Sequence, residues 1–311
     1  MNKVSIRVPA TSANCGSGFD TLGLACTLYN EVTYEITSTR GFQLEVTGEG
    51  AEYLKPCGRN LAFASFFRVW NEVTDRERIG LKITMHNRIP MSRGLGSSSS
   101  AIVAGIFAGN ILSGNRFNDD ELLGFATEIE GHPDNVAPAI LGGLVLSSQE
   151  DDGSVSYFKM NWPEDWDLTV CIPDFELSTE IARSVLPKEV PMQDAIYNTK
   201  HLAMMLQAIS EENPKLMKAS MKDRLHQPYR EKLVPGMHEI MEAFKHEDGV
   251  LGCVLSGAGP SMLVISHKYD VDKIKSIVKD IWESQNINVD VEISNLWEIE
   301  QILQKFYKRK K

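Results

Sequence analysis

Three stretches of this 311-residue chain hold residues whose types and spacing could do chemistry. The first, "PMSRGLGSSSS", runs from Pro90, Met91, Ser92 and Arg93 through Gly94, Leu95 and Gly96 to Ser97, Ser98, Ser99 and Ser100. Its two glycines let the backbone take positive φ and approach a ligand closely. Its serines stand where helix N-cap residues belong, just ahead of "AIVAGIFAGNIL". Free amides at a helix start, the positive end of the helix dipole and several hydroxyls together make an anion site. A plain capped helix after a glycine turn would use the same residues. A Walker A loop is excluded, because no "GK[ST]" follows the glycines, and the stretch does not match a GxGxxG opening a Rossmann helix.

The second stretch, "TEIEGHPDNVAP", carries Glu128, Glu130, His132, Asp134 and Asn135. The two glutamates lie two residues apart, so on a continuing helix they cannot face the same side. His132, Asp134 and Asn135 fall in a turn before a helix, where they read equally as a cap and a polar turn. The third stretch, "ANCGSGFD", offers Asn14 and Asp20. Asp20 sits between Phe19 and Leu22, an apolar neighbourhood in which an unpaired carboxylate is costly; a turn acid bonded to local backbone is the alternative.

The elements that must position these residues follow from periodicity. "VSIRVPA", "EVTYEIT" and "FQLEVTG" alternate as half-buried strands do and suggest an antiparallel sheet. A helix is expected over Leu61–Val73. The strand in "GLKITMHNRIP", with Leu81, Ile83 and Met85 inward, delivers the chain into the glycine–serine stretch. Ala101–Leu112 is apolar on nearly every face and must be a buried helix. "DDELLGFATEIEG" is an amphipathic helix with acids in its first turn, as the dipole favours, and "DNVAPAILGGLVLSS" gives a turn, a short helix and a strand. After a hairpin-like Glu150–Gly153, helices are expected at Thr179–Leu186, Asp194–Ser210, Pro235–His246 and Val271–Ser284. "GVLGCVLSG", "SMLVISH" and "NVDVEIS" supply strands. The interleaving lacks a strict parallel βαβ rhythm, so the class is α+β.

Composition limits the function classes. A formal net charge of -10 argues against nucleic acid, whose binders carry a basic patch. The basic end, "YKRKK", reads as a solvated helix end or frayed terminus. Five cysteines at wide spacings form no zinc or redox pattern, which fits free thiols in a reducing cytoplasm. No secretory h-region opens the chain, and no apolar run reaches the ~18 residues of a membrane span.

"PMSRGLGSSSSA" resembles the phosphate-binding motif of the GHMP small-molecule kinases, the group of galactokinase, homoserine kinase, mevalonate kinase and phosphomevalonate kinase. "VPATSANCGSGFDTLGLA" and "LSGAGPSMLVI" fit the same superfamily, and "ANCGSGFDTLGLA" with "EGHPDNVAPAILGG" is similar to its homoserine kinase branch. The similarity spans Val4 to about Ile293. It implies two subdomains, a ribosomal-S5-domain-2-like α/β part at 1–162 and a ferredoxin-like α+β part at 163–311. It also implies ATP and Mg²⁺ as cofactors, L-homoserine as the small-molecule partner, and threonine synthesis as the pathway served. Another small alcohol as acceptor, or a non-catalytic protein on the same fold, stays open, as does a homodimer.

Residue by residue, the resemblance implies that Pro90–Ser100 holds the ATP phosphates, and that Ser98 and Glu130 hold Mg²⁺, with Glu128 as rival to Glu130. Asn60 would lie at adenine or ribose, with a helix N-cap as its other reading. Gly257 and Gly259, in "LSGAGPS", would support the phosphate loop. His132, Asp134 and Asn135 would form the catalytic group, with Asp134 orienting the acceptor or serving as general base. Asn14, Asp20, Arg183, Arg230 and Thr179 would bind the acceptor, Asp20 its ammonium and the arginines its carboxylate. Cys15 and Ser17 replace the leucine and proline more usual in "ANLGPGFD", and the four serines stand where alanines are common.

Overall fold

The computed structural model describes residues 2–75 and 78–294. The basic end and the rest of "LWEIEQILQKFYKRKK" lie outside the described residues.

The first half runs β1 (Lys3–Ala13), β2 (Leu22–Thr37), β3 (Gly41–Gly48), α1 (Leu61–Val73), β4 (Gly80–Asn87), α2 (Ser97–Leu112), α3 (Asp119–Glu130), α4 (Pro133–Leu141), β5 (Leu144–Gln149) and β6 (Val155–Met160). Its six-stranded sheet has the order β3-β4-β2-β5-β6, with β1 also paired to β2. β1–β2, β2–β4, β2–β5 and β5–β6 are antiparallel. The expectation of a purely antiparallel sheet fails at β3, which runs parallel to β4. A parallel pair needs a crossover, and α1 supplies it.

β2 begins at Leu22, well before the alternating "EVTYEIT". Leu22, Leu24, Ala25 and Cys26 are all buried, so the first part of the strand shows no inside–outside alternation to read. α2 begins at Ser97 rather than Ala101. Gly96, in the left-handed region at φ 66°, is the N-cap, and the serines occupy the first turn instead of the cap position. His132 caps α4, which places Asp134 and Asn135 inside the helix and not in a turn before it. The core packs α1 and α2 on the sheet through Phe63, Phe66, Ile102 and Ile106 against Tyr34, Leu81 and Ile83.

The second half runs β7 (Trp166–Pro173), α5 (Thr179–Ser184), α6 (Met192–Ser210), α7 (Pro214–Ser220), α8 (Gln227–Arg230), α9 (Met237–Lys245), β8 (Val250–Leu255), β9 (Met262–His267), α10 (Val271–Ser284) and β10 (Val289–Ser294). The sheet order β10-β7-β9-β8, all antiparallel, is the 4-1-3-2 arrangement of a ferredoxin-like βαββαβ unit. α5 stops two residues short of its expected end, and periodicity did not indicate α7 or α8. A shared core joins the halves, with Leu22, Leu24, Ile89 and Leu95 against Leu168, Val170, Leu263 and Ile265. Among the described residues, no helix is long and apolar enough to cross a membrane.

Candidate active site

A cleft of about 440 Å³ lies between the two subdomains. Its end at the glycine–serine stretch is made by the main chain. Gly94 has φ 71°, and a Cβ there would stand 2.2 Å from the carbonyl oxygen of Ser256. A Cβ on Gly96 would stand 2.1 Å from Thr11 Oγ1. Only glycine fits either position. Gly96 contributes no side-chain cap, so the amides of Ser97, Ser98 and Ser99 open α2 without intrahelical acceptors. Asn30 pins the entry to this loop. Its Oδ1 accepts from the amides of Arg88 and Ile89 at 2.8 and 3.0 Å, and its Nδ2 donates to Ser100 Oγ at 2.9 Å.

The second subdomain braces the loop from behind. Ser256 Oγ donates to the Gly94 carbonyl at 2.8 Å, and the Ser261 amide donates to that of Arg93 at 3.3 Å. Arg93 lines the cleft, but its guanidinium donates to the carbonyls of Pro173, Met91 and Asp174 at 3.0 to 3.1 Å. The side chain is a tie between subdomains.

Glu130 closes the last turn of α3 against the first turn of α2. Its Oε1 accepts from Ser99 Oγ at 2.7 Å and lies 3.5 Å from Ser98 Oγ. Glu128 points elsewhere, pairing with Arg68 at 2.9 Å on the surface. A carboxylate beside serine hydroxyls is an oxygen donor set of the kind Mg²⁺ takes.

Asp134 is 1% exposed and hydrogen-bonded to Nδ1 of His132. Burial works against the charged imidazole, but the Asp134 hydrogen bond and charge more than offset it, and the pKa of His132 is raised. Thr11 Oγ1 donates to Asn135 Oδ1 at 2.8 Å, leaving Nδ2 of Asn135 as a donor for the cleft. The carboxylates of Asp20 and Asp134 and the ring of His132 bring their ligand atoms within 4.8 Å of one another.

The far end of the cleft holds charges of both signs. Arg183 presents its fork to Asp20, with NH2–Oδ1 at 2.7 Å and NH1–Oδ2 at 3.1 Å. The resemblance assigns the two residues to separate charges of the acceptor and gives no hint of this pair. Both side chains are 36% exposed, so the pair stays open to exchange. Asn14 fixes Asp20 from below: its Oδ1 accepts the Asp20 amide at 3.0 Å and its Nδ2 donates to the Gly257 carbonyl at 2.7 Å. Asn14 and Asp20 both take positive φ, 71° and 51°.

Arg230 is 1% exposed, unlike the surface arginine its sequence context suggests. It donates from Nε to the Ala182 carbonyl at 3.1 Å, and from NH1 to the Gly257 carbonyl at 3.2 Å and His226 Nδ1 at 3.3 Å. Among the described residues no carboxylate lies within ion-pair distance of it. Burial, and then the neighbouring charge of Arg183, push its pKa down to about 10. A buried guanidinium in that state is stabilised by an incoming anion.

Asn60 both caps α1, accepting from the Ala62 amide at 3.0 Å, and lines the cleft. Met91, Ser92, Leu95, Thr179 and Gly257 also line it, whereas Pro90, Ser100 and Gly259 do not. Sequence reasoning gave no role to Thr11, Asn30, Phe19 or His226: Thr11 and Phe19 lie within the first motif, but all four act through partners distant in the chain.

The family described as GHMP kinases N terminal domain matches residues 60–143, and the family described as GHMP kinases C terminal matches 205–284. A homoserine kinase of Synechococcus is 40% identical over 294 residues, 94% of each chain. A homoserine kinase of Moorella thermoacetica is 43% identical over 258 residues, covering 83% of this chain and 86% of its own. The crystal structure of homoserine kinase from Cytophaga hutchinsonii superposes with a TM-score of 0.85 at 30% identity, covering 95% of both chains. With both domains in order and relatives this similar along nearly its whole length, the chain belongs to the GHMP kinases and, within them, to the homoserine kinase family.

Proposed function

We propose that this chain transfers the γ-phosphoryl group of ATP to the side-chain hydroxyl of L-homoserine, giving O-phospho-L-homoserine for threonine synthesis. The observation that carries the reading is the charge set at the far end of the cleft. Asp20, Arg183 and the buried Arg230 offer one negative and two positive groups to an acceptor that must itself carry both signs.

The zwitterion exchanges with the Asp20–Arg183 pair. Its ammonium takes Asp20, and its carboxylate takes the Arg183 fork and Arg230, a geometry suited to bidentate recognition. This leaves the hydroxyl near His132, Asp134 and Asn135. Asp134 holds Nδ1 of His132, so Nε2 is the ring atom available to the acceptor, and Asn135 Nδ2 is a second contact. Both groups orient the hydroxyl, and Asp134 fixes the imidazole and is the carboxylate proposed as general base for the hydroxyl proton.

At the other end, the amides of Ser97–Ser99 cradle the triphosphate at the positive end of α2. Glu130 and Ser98 would hold Mg²⁺, which would supply positive charge to offset that developing on the transferred group. The adenine end falls at Asn60. The same reading divides the chain at 162–163, between β6 and β7, and places it in the cytoplasm.

A coupled ADP-release assay across homoserine, serine, shikimate, mevalonate and galactose tests the proposal. Homoserine should be turned over far faster than the others; equal turnover of mevalonate or galactose would remove the zwitterion from the account.

A further inference from the structure

We propose that His226, which no motif singles out, is a positioning residue that sets Arg230 and the acceptor-binding turn at the same time. The inference rests on the homoserine kinase reading above and adds to it the group that aims the carboxylate-binding arginine.

His226 stands just ahead of α8 and is fully buried. Its segment is held by Asp223, whose carboxylate accepts the amides of Leu225, His226 and Gln227 at 2.9, 3.0 and 2.7 Å and the Asn198 amide group at 2.7 Å. The ring faces two obligate hydrogen-bond partners, with the Asp223 carboxylate 3.6 Å from Nε2 beside them. Nε2 lies 2.9 Å from the Gly16 carbonyl, which can only accept, so Nε2 carries the hydrogen. Nδ1 lies 3.3 Å from NH1 of Arg230, which can only donate, so Nδ1 must hold a lone pair. A single neutral tautomer satisfies both bonds, and no other protonation state does. Burial holds the ring neutral by lowering its pKa.

The contacts on either side give the ring its reach. It stacks on Phe19 at 5.0 Å and 16°, and the Arg230 guanidinium lies 5.4 Å from the centre of the same phenyl ring. Gly16 and Phe19 belong to the turn that presents Asn14 and Asp20. One imidazole therefore joins the turn that binds the ammonium to the arginine that binds the carboxylate, across 210 residues of sequence. The other acceptors for Arg230 are main-chain carbonyls, and among the described residues His226 is its one side-chain acceptor.

Two amide variants separate the two bonds. His226→Gln places its amide near the Nε2 position, keeps a donor for Gly16 and loses the acceptor for Arg230. His226→Asn keeps an acceptor near Nδ1 and loses the bond to Gly16. His226→Gln should raise the homoserine KM about tenfold or more, the loss of a hydrogen bond to a charged group, with the ATP KM unchanged. His226→Asn should raise it less. In an Arg230→Lys background the Gln substitution should add little, because the group it acts through is already displaced. Equal rises in both KM values, or a Gln penalty undiminished in that background, would overturn the proposal.

Nitrogen NMR of the wild-type imidazole decides the matter even if the variants do not fold. A neutral Nε2–H tautomer is expected, and an Nδ1–H or doubly protonated ring would refute it. Wild-type protein that failed to phosphorylate homoserine would count against the functional reading, while the tautomer would still judge the role of His226.

Discussion

At the proposed phosphate end of the cleft the groups on offer are main-chain amides from one contiguous stretch, Gly94–Ser99. At the proposed acceptor end they are side-chain charges drawn from Asp20, Arg183 and Arg230, the first two of them 163 residues apart. The first end is fixed by backbone geometry, because two glycines at positive φ pack where no Cβ fits. The second is fixed by a layer of buried partners beneath the charges: Asn14, Phe19, Asp223 and His226. The backbone grip itself tolerates change in its side chains and fails when its φ angles fail, although Glu130 and Ser98 beside it would hold the metal through theirs. A charge site behaves the other way round.

Five substitutions, one of them read against pH, put that contrast under strain. The largest effect should come from Glu130→Gln, which removes the proposed metal carboxylate while keeping its shape. Turnover at saturating ATP and Mg²⁺ should fall by about 100-fold or more, and near-normal rates would move the metal elsewhere. Next comes Arg230→Ala, for which the homoserine KM should rise on the order of 10–150-fold while that for ATP stays put. Matched losses for both substrates would dissolve the distinction between the two ends.

Gly94→Ala sharpens the comparison from the other side. Its strained φ and the Ser256 carbonyl in the way should cost about 1–3 kcal/mol in urea unfolding, together with weaker ATP binding. Homoserine binding should be less affected; an unaltered stability would mean that the loop relaxes freely.

A smaller effect is pH-dependent. The folded His132 has a raised pKa, so its pairing with Asp134 stabilises fully below the ordinary imidazole value and is lost as pH rises through the folded one. Asp134→Asn should therefore destabilise more at about pH 5.5 than at about pH 8.5, as thermal melts would record. A penalty that grew with pH would reverse the sign of the argument. Last, Glu128→Gln should change stability by no more than about 0.5 kcal/mol and leave turnover alone, two residues from the substitution with the largest effect.

Much of the fold was open to the sequence where periodicity and environment agree. α1 and α10 each have one buried face and a capping Asn60 or Asp270, and their limits match the expected ones. The beginning of β2 was hidden because burial on both faces erases alternation. The parallel placement of β3 depends on a crossover, which no window of a few residues contains. At the site, the glycine–serine stretch announced itself locally; helix geometry said only that Glu128 and Glu130 face different sides, and the choice of Glu130 came from the family resemblance. Arg183 and Arg230 were legible only through family resemblance, since nothing beside either residue in sequence reveals its partner. His226 was illegible for the same reason: its two hydrogen bonds reach Gly16 and a guanidinium one turn away, and neither leaves a motif.

The tie between Arg93 and the end of β7, with Ser256 holding Gly94 from the opposite subdomain, bears on how enzymes of this architecture can be recombined. Grafting a foreign C-terminal portion to change acceptor choice would also swap the scaffolding under the nucleotide grip. A working hybrid must therefore carry the Pro173–Asp174 carbonyls and the Ser256–Ser261 bend along with its donor's native glycine loop, or rebuild both sides of that seam together.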